Sequence, residues 1–236
     1  MSTPLQIGLL VFPRVTQLDF TGPLQVFAAV PGAKLHLIWK RIEPVPSDSA
    51  LIVTPTTTFA DCPELDVICV PGGRGTDDLL NDEEVLEFLR RQAEGAKYVT
   101  SVCTGSLALG AAGLLKGYRA ATHWSAMELL ARFGATPTKT RVCVDRNRVT
   151  GGGVTAGIDF ALTLDRPHHG GGDPARARIQ PGAAVQCGLA RHRARRGPCS
   201  RQRAHRAEPG PPYRGRRTRG GAGDVDVPPS VVELRF

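Results

Sequence analysis

Residues 97–106 read Lys-Tyr-Val-Thr-Ser-Val-Cys-Thr-Gly-Ser, and this stretch decides the fold. An apolar run typical of a buried strand leads directly into small residues typical of a helix. Cys103 is therefore predicted to lie on a tight strand-to-helix turn, where a nucleophile elbow exposes its reactive side chain. The helix amides and dipole favour a thiolate there, so we expect a lowered pKa for Cys103. The alternative is an inert, buried cysteine.

Strands and helices alternate on both sides of this turn. The predicted strands are 7–12, 35–39, 65–70 and 97–102, with a hairpin formed by 141–144 and 148–150. The predicted helices are 21–30, 82–95, 105–116, 122–133 and 156–164. Because the central strands are apolar throughout, they predict an α/β fold with a mostly parallel sheet and helices on both faces.

In such sheets the ligand binds beyond the carboxyl ends of the strands. The candidate residues that follow strand ends are Asp19, Gly72, Gly73, Cys103 and the 151–153 loop. We therefore expect them to converge in one crevice.

A cysteine nucleophile needs a partner for its proton and hydrogen-bond donors for developing charge. Asp19 is the candidate partner, although an aspartate there also suits the N-cap of the following helix. The candidate donors are the backbone amides of Gly72, Gly73 and Thr104. His123 is a possible further neighbour, with a structural role at a helix start as the alternative. No metal-ligand spacing or phosphate-binding loop is found, so no metal site is predicted.

Composition divides the 236-residue chain in two. Residues 1–165 hold 15 Lys and Arg against 17 acidic residues, a net charge of −2, whereas 166–236 hold 15 Arg and 5 acids, a net charge of +10. Residues 166–236 also contain 11 Gly and 9 Pro but only 9 Val, Ile, Leu and Phe, too few for a core. We predict an α/β domain over 1–165 and an irregular or disordered tail over 166–236.

Six segments together carry a family resemblance. They are QLDFTGP (17–23), FADCP (59–63), LDVICVPGG (65–73), YVTSVCTGS (98–106), ATHW (121–124) and TGGGVTAGIDFA (150–161). The set resembles the isocyanide hydratases of cyclohexyl-isocyanide hydratase type, within the ThiJ/PfpI, class I glutamine amidotransferase-like superfamily. Aspartate rather than glutamate at position 19 makes the match more specific.

The resemblance implies a flavodoxin-like fold and a homodimer that adds water to an isocyanide, giving an N-substituted formamide without a metal or organic cofactor. It implies that Cys103 is the nucleophile, that Asp19 is its acid/base partner, and that a thioimidate is formed. Residues that would position the substrate or stabilise developing charge are Thr104, Gly72, Gly73, Gly152 and Val154.

Two other functions stay open. One is a different enzyme of the superfamily, an amidase or a glyoxal hydratase. However, Thr104 in place of histidine disfavours a protease-like pair, and Asp19 in place of glutamate disfavours the glyoxal type. The other is a ligand-sensing domain of a transcription regulator, but no helix-turn-helix pattern follows residue 165.

After residue 164 the resemblance stops. The arginine-rich tail could be a nucleic-acid arm, but arginine without lysine among Gly and Pro favours GC-rich coding sequence read out of frame. Back-translating 173–194 and reading one nucleotide later gives a peptide like the family's missing helix and loop. We therefore hypothesise a frameshift near residues 164–173 and expect no nucleic-acid partner.

The cellular compartment of the protein is predicted from weaker sequence features. Six cysteines lack a disulfide-like spacing, and the N-terminus lacks a signal-peptide pattern. No run of about 18 apolar residues occurs, so we expect no membrane span. These features together favour the cytoplasm.

Overall fold

The computed structural model describes residues 4–165, where strands and helices alternate along the chain. The predicted domain boundary after residue 165 and the predicted irregular tail over 166–236 lie outside the described residues. The strands are β1 (Leu5–Leu10), β2 (Ala33–Trp39), β3 (Val45–Pro46), β4 (Ile52–Val53), β5 (Thr57–Thr58), β6 (Val67–Val70), β7 (Tyr98–Val102), β8 (Arg119–Ala120), β9 (Thr136–Pro137), β10 (Val142–Asp145) and β11 (Arg148–Gly151). The helices are α1 (Gln17–Phe27), α2 (Thr76–Leu79), α3 (Glu83–Gly95), α4 (Gly105–Ala111), α5 (Met127–Arg132) and α6 (Ala156–Asp165), with a 3₁₀ turn at Trp124–Ala126.

Seven of these strands form the central sheet, in the order β10-β11-β7-β6-β1-β2-β5. The hairpin pair β10 and β11 is antiparallel, and every other pairing in this sheet is parallel. The predicted mostly parallel α/β sheet, with its hairpin around 145–147, is therefore confirmed.

The central strands are buried along their whole length. Every residue of β6 and β7 is buried, as expected when both faces of a sheet are covered. Helix α1 packs with α6, while α4 packs with α2, α3 and α5. The longest helix, α3, begins at the N-cap Asp82, whose carboxylate accepts the Val85 amide. Its apolar stripe of Val85, Leu86 and Leu89 is buried in the core.

Helix α1 begins four residues before its predicted start. Pro23 was expected in the first turn, where its missing amide is harmless, but it lies inside the helix. One missing amide leaves a single carbonyl, that of Asp19, without its helical donor. The earlier start places Asp19 in the first turn of α1 and not in a loop.

Two other helices are shorter than predicted. Helix α4 ends at Ala111 because Gly113 adopts a left-handed conformation, with φ of +79°, that breaks the helical path. The predicted helix over 122–133 is divided into the 3₁₀ turn and α5. Among the helices of residues 4–165, none has both the length and the apolar composition of a membrane span.

Candidate active site

Cys103 lies on a strained elbow between β7 and α4. Its φ of +55° is left-handed, a conformation that costs a residue other than glycine about 1–2 kcal/mol. The Cys103 amide donates to the Gly151 carbonyl at 2.9 Å, and its carbonyl accepts the hydroxyls of Ser106 at 3.2 Å and Thr122 at 3.1 Å. Because the amide and the carbonyl of Cys103 are both hydrogen-bonded, neighbouring segments hold the elbow in this strained conformation. The predicted nucleophile-elbow geometry is present.

Glycines on both sides let the end of β6 and its loop approach the elbow closely. A Cβ added at Gly72 would lie 2.6 Å from the Thr104 nitrogen and 2.9 Å from Cys103 Cβ. A Cβ at Gly105 would lie 2.1 Å from the Val70 carbonyl oxygen. The loop after β6 and the elbow after β7 are therefore in direct contact, as the crevice prediction required.

Asp19 is fully buried beside this contact. Its Oδ2 accepts the Gly72 amide at 3.0 Å, whereas Oδ1 has no oxygen or nitrogen partner within the described residues. The N-cap alternative is wrong, because Thr16 is the N-cap residue and the Asp19 carboxylate bonds a loop 53 residues away. The Cys103 thiol lies near enough to this carboxyl group to affect its pKa.

Burial dominates the proton affinity of Asp19. Loss of solvent raises the pKa of its carboxyl from 3.8 to about 7, although hydrogen bonds from Gly72 and Cys103 act in the opposite direction. The negative charge of Asp48 raises this pKa further. Asp19 therefore exchanges its proton near neutral pH, which suits a general acid/base.

The expected lowering of the Cys103 pKa is wrong for this resting site. Burial and the charge of Asp19 raise the thiol pKa to about 12, and the amide and hydroxyl of Thr104 offset this only in part. The side chain is 7 % exposed, so helix amides do not compensate for the lost water. At rest, Cys103 is therefore a thiol beside a buried carboxyl group, not a preformed thiolate.

Thr104 connects the elbow to the glycine loop. Its Oγ1 accepts the Gly73 amide at 3.0 Å and lies 2.9 Å from Oγ1 of the buried Thr76. The amides of Gly72 and Gly73 thus already bond Asp19 and Thr104, respectively. The Thr104 amide remains directed at the Cys103 sulfur.

Gly152 and Val154 line a cavity of about 750 Å³ beside the elbow. Thr122, which bonds the Cys103 carbonyl, and the exposed Trp124 also line this cavity. The Gly152 amide donates to the Arg141 carbonyl at 2.9 Å. Thr122 therefore connects this cavity to the elbow, although Cys103 and Asp19 do not themselves line it.

His123 is placed by local contacts. Its Nδ1 lies 2.8 Å from Ser125 Oγ, and its ring lies 5.3 Å from that of Trp124. Within residues 4–165 it has no hydrogen bond with Cys103 or Asp19, and this arrangement favours the structural alternative.

The structure describes three cysteines besides Cys103. Cys62, Cys69 and Cys143 are free thiols, and Cys69 is fully buried in β6. Across residues 4–165 no three His, Cys, Asp or Glu side chains are grouped as metal ligands.

Sequence reasoning missed three residues around the site. Thr122 bonds the elbow, Thr76 bonds Thr104, and Asp48 adds charge near Asp19. Thr122 lies within a family-like segment, but Thr76 and Asp48 lie in loops or short elements without a recognisable pattern. Only folding brings these side chains to the site.

A sequence model described as the DJ-1/PfpI family matches residues 6–166, which include the elbow and both glycine loops. The chain belongs to the DJ-1/PfpI family. The resemblance predicted from the sequence segments, and the flavodoxin-like fold that it implied, are thereby confirmed.

Known relatives agree with this assignment. The chain is 62% identical to an isonitrile hydratase of Pseudomonas putida over 160 residues, 68% of this chain and 70% of that protein. A crystal structure of a ThiJ/PfpI family protein from Pseudomonas syringae is 44% identical with a TM-score of 0.71, covering 83% of this chain and 77% of the other. The regulator GbdR of Pseudomonas aeruginosa is 32% identical over 71% of this chain, which spans about half (47%) of the regulator.

Proposed function

We propose that this protein hydrates an isocyanide to an N-substituted formamide, with Cys103 as nucleophile and Asp19 as acid/base. The observation that carries the proposal is a buried carboxyl group, its pKa raised to about 7, that interacts with a thiol on a strained elbow. The 62% identity to an isonitrile hydratase supports the choice of substrate class.

The first half of the reaction forms a thioimidate. The Asp19 carboxylate accepts the thiol proton, and the sulfur electron pair forms a bond to the terminal carbon of R–N≡C. The Asp19 carboxyl then returns the proton to that carbon, giving Cys103–S–CH=N–R. A base with a pKa near 7 can perform both transfers at neutral pH.

The second half consumes water. The Asp19 carboxylate accepts a proton from water while the water oxygen attacks the thioimidate carbon, and Asp19 then passes this proton to the imine nitrogen. The tetrahedral hydroxyl next loses its proton to Asp19 as the C=O bond forms and the C–S bond breaks. Asp19 returns that proton to the sulfur, and R–NH–CHO is released. The net reaction is the addition of one water to one isocyanide.

The surrounding residues have distinct supporting roles in this proposal. Thr104 donates its amide toward the sulfur and so stabilises negative charge as the proton leaves. Gly72 and Gly73 act by close approach and by bonding Asp19 and Thr104, because their amides are already engaged. Gly152 and Val154 line the cavity that would hold the substituent R.

Turnover of an alkyl or aryl isocyanide by the full chain tests the proposal, with formamide followed by chromatography. We expect Cys103→Ala to abolish formamide production and Asp19→Asn to reduce it severely. Cys62→Ala is the matched control, because it removes a thiol outside the site. Normal turnover by Cys103→Ala would eliminate cysteine-dependent catalysis.

A second candidate is a ligand-sensing domain, favoured by the 32% identity to the regulator GbdR. In that case the cavity would bind a small molecule without turning it over. Saturable binding of an isocyanide with no formamide from the wild-type chain would favour this candidate over the hydratase.

A further inference from the structure

Asp48 is an exposed carboxylate connected to the first turn of α1. Its Oδ2 accepts the Thr16 hydroxyl at 2.5 Å, and its amide donates to the Val15 carbonyl at 2.9 Å. Thr16 is the N-cap residue of α1, yet its side chain makes no capping bond to the helix. An N-cap hydroxyl normally bonds its own first turn, but here it bonds a carboxylate of another segment.

The backbone of Thr16 hydrogen-bonds both Gly72 and Asp19. Its amide donates to the Gly72 carbonyl at 2.9 Å, and its carbonyl accepts the Asp19 amide at 3.0 Å. The Gly72 amide in turn donates to Asp19 Oδ2 at 3.0 Å. Thr16, Gly72 and Asp19 therefore form a closed loop of hydrogen bonds that the Asp48 carboxylate anchors from outside.

Asp48 also acts through its charge. The groups that affect the proton affinity of Asp19 are the Gly72 amide, the Cys103 thiol and Asp48, and no cation of the described residues is among them. Asp19 in turn raises the pKa of the buried Cys69 thiol. The negative charge of Asp48 disfavours ionisation of Asp19 and raises its pKa, in the same direction as burial.

We propose that Asp48 is a positioning residue for this site: it fixes the first turn of α1 through Thr16 and places a second negative charge near Asp19. The inference rests on the proposed function in assigning proton transfer to Asp19. Its two parts, the hydrogen bond and the charge, can be separated by substitution. Asp48→Asn removes the charge and keeps an acceptor oxygen, whereas Thr16→Val removes the hydroxyl and keeps the charge.

Two measurements against pH test this role. The first is the rate at which iodoacetamide alkylates Cys103, read on the Cys103 peptide by mass spectrometry. It needs no substrate, and because the Asp19 carboxylate would accept the thiol proton as the sulfur attacks, the rate should rise as Asp19 ionises. The second is kcat/KM for isocyanide hydration. Absence of hydration by the wild type would defeat the proposed function, while the alkylation profile would still decide the role of Asp48.

We expect Asp48→Asn to move the midpoint of the alkylation profile toward acid by about half a pH unit, from about 7 in the wild type. Because Asp48 is exposed, 1 M salt should move the wild-type midpoint toward that of the variant. Thr16→Val should lower the alkylation rate on the high-pH plateau several-fold and leave the midpoint nearly unchanged. Thr16→Ser, which keeps the hydroxyl, should restore the plateau rate.

Asp77→Asn is the control, since Asp77 is an exposed carboxylate with the same charge change. Equal midpoints for Asp48→Asn and Asp77→Asn would overturn the charge role. A Thr16→Val plateau equal to that of the wild type would overturn the positioning role. Thermal unfolding of each variant verifies that altered alkylation does not come from a misfolded chain.

Discussion

At the residue scale, the site joins two groups whose proton affinities are both raised by burial. Asp19 and the Cys103 thiol hold their protons more tightly than they would in water, with pKa values raised to about 7 and about 12. A buried acid that must ionise to act is a source of instability as well as of reactivity. Replacing Asp19 by a neutral side chain should therefore stabilise the folded protein wherever the carboxyl would be ionised.

Asp19→Asn should stabilise the protein at pH 8 but change its stability much less at pH 5. The folded-state pKa of about 7 lies above the ordinary 3.8, so the folded state binds the extra proton between these values and loses stability as pH rises through them. At pH 8 the gain is at most about 4 kcal/mol. Urea unfolding at both pH values measures it, and an equal gain at both would contradict the assignment.

Gly72→Ala should reduce turnover about 100-fold, because the added Cβ would lie 2.6 Å from the Thr104 nitrogen and displace the elbow. Gly95→Ala is the matched control, since a Cβ there meets nothing within 4 Å. Formamide production under saturating isocyanide is the measurement. Retained activity in Gly72→Ala would show that the site does not depend on this close approach.

At the element scale, the contact between α1 and α6 links the two sides of the site. Helix α1 carries Asp19, and α6 follows the loop that contains Gly152 and Val154. The two helices approach at Gly22, where an added Cβ would lie 2.9 Å from Ile158 Cγ1. Displacement of one helix therefore changes the distance between Asp19 and the cavity that Gly152 and Val154 line.

Gly22→Ala should destabilise the protein by about 1–3 kcal/mol, the usual result of overpacking a tight contact. Turnover per folded molecule should also fall, because α1 cannot move away from α6 without moving Asp19. Denaturant unfolding and active-site titration of Cys103 separate these effects. An unfolding midpoint equal to that of Gly95→Ala would argue against this close packing.

At the scale of the whole molecule, charge and family similarity change near the same point. Residues 1–165 carry a net charge of −2 and 166–236 carry +10, and the family match ends at residue 166. The frameshift hypothesis explains both changes. It also predicts that the neighbouring reading frame encodes the family's terminal segment. We expect this segment to cover apolar surface and to support a homodimer.

Sequencing the DNA across codons 164–173 tests this hypothesis directly. We expect a single-nucleotide change of frame to restore family-like sequence. The chain with the restored frame should elute from gel filtration as a dimer and aggregate less than the given chain. Codons that forbid the shifted peptide would refute the hypothesis.

By itself the sequence determined the family, the mostly parallel sheet, the elbow at Cys103 and the convergence of strand ends, because periodicity and short motifs are local. It misplaced the start of α1, since Pro23 fits both a first turn and a tolerated interior position. Only the tertiary structure decided the direction of the thiol pKa and the link from Asp48 through Thr16, because desolvation and contacts between distant segments arise on folding.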